Sequence, residues 1–229
     1  APNSCTMPDV STYNAFASGI VQEFGALAGI ASSATVIDEA TAWRIARDVV
    51  CASTDPELVS SGDSIAQVVG RVIELDHAVS DNLTSFDLVA QVVTEFERVG
   101  SLPYNDKSTG AHKLYAEIRD ILRNMRGTQI ALRLARVFAE EKRRRGLIEF
   151  SDQLALAVET LQRFPKATVQ LRQRTPVVLL DEVQDTSVGQ TRLLSTLYAG
   201  TSVMAVGDPH QSIYGFRGAS ADNLRSFHR

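Results

Sequence analysis

The sequence is poor in cysteine, with two in 229 residues, and it has one tryptophan and four histidines. Cys5 and Cys51 stand far apart with no His or Cys at metal-ligand spacing, which excludes a zinc module and a disulfide framework and leaves two reduced or buried thiols. The histidines are dispersed, so a metal-dependent nuclease or phosphatase lacks its ligand cluster. No run is long and apolar enough to span a membrane, and no basic-then-apolar leader is present. No Gly-Lys pair occurs anywhere, so the glycine-rich lysine loop that holds nucleotide phosphates is missing from these residues. Repeats and low-complexity tracts are absent. The expectation is a soluble, cytoplasmic protein with no membrane association, large enough for one large or two small domains.

Excess charge is slight, a formal −4, but it is segregated. Residues 1–110 carry 5 basic and 15 acidic side chains, 111–145 carry 10 and 4, and 146–229 carry 8 and 8. The middle block, ending in Lys142-Arg143-Arg144-Arg145, is either a phosphate-contacting face or a solvated helix end whose cations complement the helix dipole.

Helical spacing dominates the middle of the chain. Apolar positions Phe16, Ile20, Val21, Phe24 and Leu27 follow Ser11 and Thr12, either of which can cap a helix. Thr35–Ile37 reads as a short strand. Helical patterns follow over 38–50, 63–78, 86–99, 109–125 and 129–145, with breaks at Asp55-Pro56, Ser80 to Asn82, Gly100 to Pro103 and Gly127. Trp43, Phe150, Leu154 and Val158 read as packing residues. Residues 35–145 are therefore expected to form a helical subdomain with its own core.

The chemistry concentrates between Pro176 and Ala219. Val177–Leu180 and Ser202–Val206 are short continuous apolar runs, read as strands buried on both faces as in a parallel sheet. Asp181 and Glu182 end the first, the position where ligands bind in open α/β sheets. Two carboxylates there suit magnesium binding by Asp181 and orientation of an attacking water by Glu182. The alternative is an acidic cap for the next helix, with Asp185, Thr186 and Ser187 also able to cap. The second run ends in Gly207-Asp208-Pro209-His210-Gln211-Ser212-Ile213-Tyr214-Gly215-Phe216-Arg217-Gly218-Ala219, a loop suited to gripping something planar and charged.

Together these segments resemble the DExQDT and GDxxQSIYxxRGA motifs of UvrD/Rep/PcrA-type superfamily 1 DNA helicases. Two further stretches are similar to that family. Thr12-Tyr13-Asn14-Ala15-Phe16-Ala17 resembles its T-F-H-x-F-A element, with Tyr13 for Phe and Asn14 for His. Gly146 to Leu154 resembles its G-x-x-D-F-x-D-L element, with Glu149 for Asp.

The resemblance implies an α/β fold: a partial RecA-like P-loop NTPase parallel sheet from residues 1–34 and 146–229, with a helical insertion at 35–145. It implies ATP and Mg2+ as cofactors, with Asp181 on the metal, Glu182 as base and Gln211 sensing the terminal phosphate. Thr12, Tyr13 and Asn14 would touch single-stranded DNA, and Tyr214, Phe216 and Arg217 would supply stacking faces and a cation. Arg143, Arg144 and Arg145 would meet the duplex or the departing strand. The family's P-loop would precede Ala1 and its arginines would follow Arg229, so these 229 residues alone are expected not to hydrolyse ATP.

The N-terminal stretch is also similar to actinobacterial helicase–nuclease subunits of the AdnAB type, which would make a second helicase or nuclease subunit a partner. The competing expectation is a non-catalytic DNA- or protein-binding scaffold.

Overall fold

A computed structural model describes residues 8–30, 34–102 and 115–212. Contacts divide the chain into two units, residues 1–34 with 150–229 and residues 35–149.

In the first unit, α1 (Tyr13–Phe24) is capped by the Thr12 hydroxyl, which accepts from Ala15 N at 3.2 Å. Its buried stripe, Ala17, Ile20, Val21 and Phe24, packs on α7 (Phe150–Arg163), which turns Leu154, Ala157, Val158 and Leu161 inward. Phe150 points outward instead, 66% exposed, because it opens α7 one turn ahead of that stripe. A helix that the periodicity did not single out, α8 (Pro165–Arg174), starts on a proline, whose fixed φ suits the first turn.

Strand β3 (Val178–Leu180) pairs in parallel with β4 (Val203–Ala205), Val178 opposite Val203 and Leu180 opposite Ala205. The connection between them is α9 (Val188–Tyr198), which buries Leu193 and Leu197. Both strands were expected to be buried on two faces, and neither is. Leu180 is buried, whereas Val177, Leu179, Met204 and Val206 are all more than half exposed. Side chains alternate across a strand, so Val177, Leu179, Met204 and Val206 share the exposed face while Leu180 lies on the other.

In the second unit, three helices form the core: α2 (Glu39–Ala52), α4 (Ile65–Asp81) and α6 (Ala116–Arg144). Ile45, Ala46, Val50, Val69, Val72, Ala135 and Phe138 interlock there. Short α3 (Pro56–Ser60) opens at Pro56, where a break was expected, and α5 (Phe86–Glu97) lies along α6. Side-chain oxygens of Asp38, Asp55, Ser64 and Ser85 cap the four helices preceding α6. Gly127 does not divide α6, since glycine inside a helix costs only about 1 kcal/mol. Trp43 is 42% exposed rather than core, because the stripe of α2 runs through Ala42, Ile45 and Ala46.

β1 (Thr35–Val36) pairs in parallel with β2 (Leu147–Ile148), after Gly146 turns the chain at φ 66°. The stretch 146–149 thus closes the helical unit rather than opening the other one. Behind this pair lies a buried charge cluster. Lys142 Nζ donates to Asp76 Oδ2 at 2.5 Å and to Glu149 Oε2 at 2.7 Å, and His77 Nε2 lies 3.0 Å from Glu149 Oε1.

Candidate functional site

At the carboxyl end of β3 the backbone leaves extended geometry abruptly. Glu182 sits in the left-handed region (φ 54°, ψ 38°), a conformation costly for a residue with a Cβ. The turn that follows, Val183–Asp185, is 3₁₀. It is tied to β4, with Val206 N donating to Leu180 O at 2.8 Å and Val183 N to Val206 O at 3.2 Å. Asp181 and Glu182 are both exposed, and Asp181 Oδ1 accepts from Glu182 N at 2.9 Å.

Neither carboxylate caps the next helix. Ser187 does so in a reciprocal capping box with Gln190, its hydroxyl accepting from Gln190 N and its own N–H donating to Gln190 Oε1. The acidic pair is thereby left without the capping role that was the alternative account of it.

Gln184, which the sequence reading did not single out, is 1% exposed directly beneath the pair. Its Nε2 donates to Glu182 Oε2 at 2.6 Å, and its Oε1 accepts from Asp208 N at 3.0 Å. Gly207 allows this closeness, since a Cβ there would collide with Gln184 Oε1 and stand 3.2 Å from Val183 N. A glutamine between two acids is weak evidence of burial in a sequence, so only the neighbouring Gly207-Asp208 step hinted at a close approach.

The loop after β4 is locally braced. Asp208 Oδ1 accepts from His210 N at 2.9 Å and Oδ2 from Gln211 Nε2 at 2.9 Å. These bonds, the His210 amide first, hold the Asp208 carboxyl below its usual range. Gln211 is exposed, its amide donating within its own turn. Tyr214, Phe216 and Arg217 lie outside the described residues.

The start of α1 reaches the same end of the ribbon. Tyr13 Oη donates to the Asp181 carbonyl at 2.9 Å. Its phenol is pushed up, by burial first and then by the Asp181 and Glu182 charges. Asn14 Oδ1 accepts from Gln190 Nε2 at 3.4 Å, while Thr12 and Asn14 stay exposed. The structure therefore brings Tyr13 to the acidic pair.

Magnesium commonly keeps several waters and takes one or two carboxylates together with substrate phosphates. Exposed Asp181, beside Glu182, fits that donor set. Among the described residues no group of three or more His, Cys, Asp or Glu forms an all-protein metal cage.

The arginines of α6 occupy the other unit. Arg144 and Arg145 both bond Glu141, whose carboxyl is lowered to about 2 by these two guanidinium groups, while Arg143 is exposed. Lys142 is buried in the charge cluster and faces no solvent. Further back, Arg133 pairs with Asp55 and Glu57, and Arg136 with Asp87. Much of the basic excess is thus compensated by acids from preceding helices, which a count along the sequence does not reveal.

Parts of the chain are similar in sequence to known proteins. The chain is 34% identical over 97 residues to DNA helicase II of Haemophilus influenzae, covering 42% of this chain and 13% of that protein. It is 39% identical over 95 residues to the RecBCD enzyme subunit RecB of Mycolicibacterium smegmatis, covering 39% and 9%. It is 34% identical over 125 residues to the RecB subunit of Escherichia coli, covering 48% and 10%. The matches thus span about a tenth of these relatives' lengths. The model of the UvrD/REP helicase N-terminal domain matches residues 2–229, and the chain belongs to that family.

Proposed function

We propose that this chain is part of the first motor domain of an ATP-dependent DNA helicase that moves along single-stranded DNA and unwinds duplex in repair or recombination. The observation that carries the reading is the meeting of three segments at the end of β3: the acidic pair, the 207–212 turn and the start of α1. In a chain of this family, that arrangement supports a reading in which nucleotide chemistry and strand contact share one hydrogen-bonded cluster.

Asp181 would hold Mg2+ with ATP, and the ion supplies charge neutralisation on the phosphates. Glu182 orients the attacking water and accepts its proton. Gln211, on the 207–212 turn, would sense the terminal phosphate. Thr12 and Asn14 take the strand from α1, while Tyr214, Phe216 and Arg217 offer stacking faces and a cation that are indifferent to base identity. The helical unit would contact duplex through Arg143 to Arg145. A second helicase or nuclease subunit is the partner that the RecB relatives favour, with action in the cytoplasm on broken DNA.

Glu182→Gln in the full-length polypeptide tests the site. Nucleotide affinity is expected to persist while hydrolysis falls by at least about a hundredfold, since the amide still hydrogen-bonds but accepts no proton. Undiminished turnover would remove Glu182 from the chemistry.

A further inference from the structure

We propose that Gln184 is the positioning residue of this site, setting the Glu182 carboxylate and the 207–212 turn in one register; this deepens, and rests on, the reading of Glu182 as the base. A primary amide carries a donor and an acceptor on one rigid plane. Here the acceptor meets the Asp208 N–H, which fixes the flip and leaves Nε2 for the carboxylate.

The backbone of Gln184 joins the same link, its carbonyl accepting from Ser212 Oγ at 3.3 Å. A movement of the turn therefore reaches Glu182 through a buried planar group with no slack. Glu182 in its left-handed conformation has its carboxylate 2.6 Å from Nε2, so the amide restrains the side chain that the unusual backbone places at the strand end.

Met, Glu and Asn do not fill this role. Met matches the length without hydrogen bonds, and Glu offers no donor when ionised and sets a second negative charge against Glu182. Asn is shorter by one methylene, which removes the reach to both partners. Gly207 is the second half of the device, because any Cβ there displaces Oε1.

The experiment uses the full-length native polypeptide with Gln184→Met, Gly207→Ala, Glu182→Gln and the pairwise combinations. DNA-stimulated ATP turnover, nucleotide Kd and Tm are measured for each. A hydrogen bond to a charged group corresponds to a tenfold to hundredfold effect. Gln184→Met and Gly207→Ala are each expected to lower kcat by that factor, with nucleotide Kd changed less than threefold. Combining them adds little, and neither adds to Glu182→Gln, because both act through the same carboxylate. Gln184→Glu does not restore turnover.

If Glu182→Gln abolishes hydrolysis while Gln184→Met and Gly207→Ala leave kcat intact, the positioning role is wrong and the base assignment stands. If Glu182→Gln itself leaves hydrolysis intact, the site reading fails and this proposal with it. Parallel loss of kcat, nucleotide binding and Tm in both variants makes Gln184 a packing residue and overturns the proposal.

Discussion

Replacing Lys142 by Met tests the charge cluster at the base of the helical unit. The ammonium is 3% exposed, as is Asp76, and Glu149 is 7% exposed, so the substitution leaves two carboxylates buried together without their shared cation. Removing one partner of a buried ion pair costs about 3–5 kcal/mol. That is a large part of the roughly 5–15 kcal/mol by which a domain is stable. The lost contact of Lys142 Nζ over the Phe138 ring, at 4.8 Å, acts in the same direction.

The assay is urea unfolding followed by Trp43, the single tryptophan, which lies in this unit and reports on it. A fall of less than about 1 kcal/mol would refute the view that the cluster is desolvated and mutually dependent. Replacing Lys142, Asp76 and Glu149 together by apolar residues of similar volume is expected to cost far less than Lys142→Met alone, because no charge is then left buried.

The same cluster gives a pH dependence. The hydrogen bond with Glu149 raises His77 above 6.5, against the opposing effect of burial. Its stabilising contribution is full below that value and fades as pH rises through the higher folded value, and His77→Gln is expected to remove this alkaline decline in urea melts. For Glu149, burial pushes the carboxyl up but the His77 bond and the Lys142 charge outweigh it, so it ends below 4.5; that contribution is present above 4.5 and lost as pH falls through the folded value.

Replacing Arg143, Arg144 and Arg145 together by Ala is expected to flatten the salt dependence of DNA affinity, while Glu141→Gln frees two guanidinium groups and steepens it; unchanged slopes would take this helix end off the DNA. Tyr13→Phe removes one hydrogen bond worth about 0.5–1.5 kcal/mol, and hydrogen exchange of residues 181–186 in the full-length protein is expected to rise accordingly; unchanged exchange would show that the phenol does not brace the acidic pair.

Much of this protein was legible in order along the chain. The spacing of Phe16, Ile20, Val21 and Phe24 specified α1, and its cap was narrowed to Ser11 or Thr12, of which the structure takes Thr12, because period and capping chemistry are local. Asp181 and Glu182 stood out because a short apolar run ended on them. Partnership across long separations was not legible. Gln184, Gly207 and Asp208 acquire their meaning only when β4 lies beside β3, and Tyr13 only when α1 reaches a carbonyl 168 residues away. The basic block read as either a phosphate-contacting face or a solvated helix end; the pairing of Arg133, Arg136 and Lys142 was not legible because their acids lie far back in the sequence, at Asp55, Glu57, Asp87 and Asp76. Burial of Lys142 and exposure of Trp43 were likewise decided by which helix faces meet. Composition and period determine which elements form; whether a polar group is bonded, neutralised or free depends on side chains that only the packed chain brings within hydrogen-bond reach.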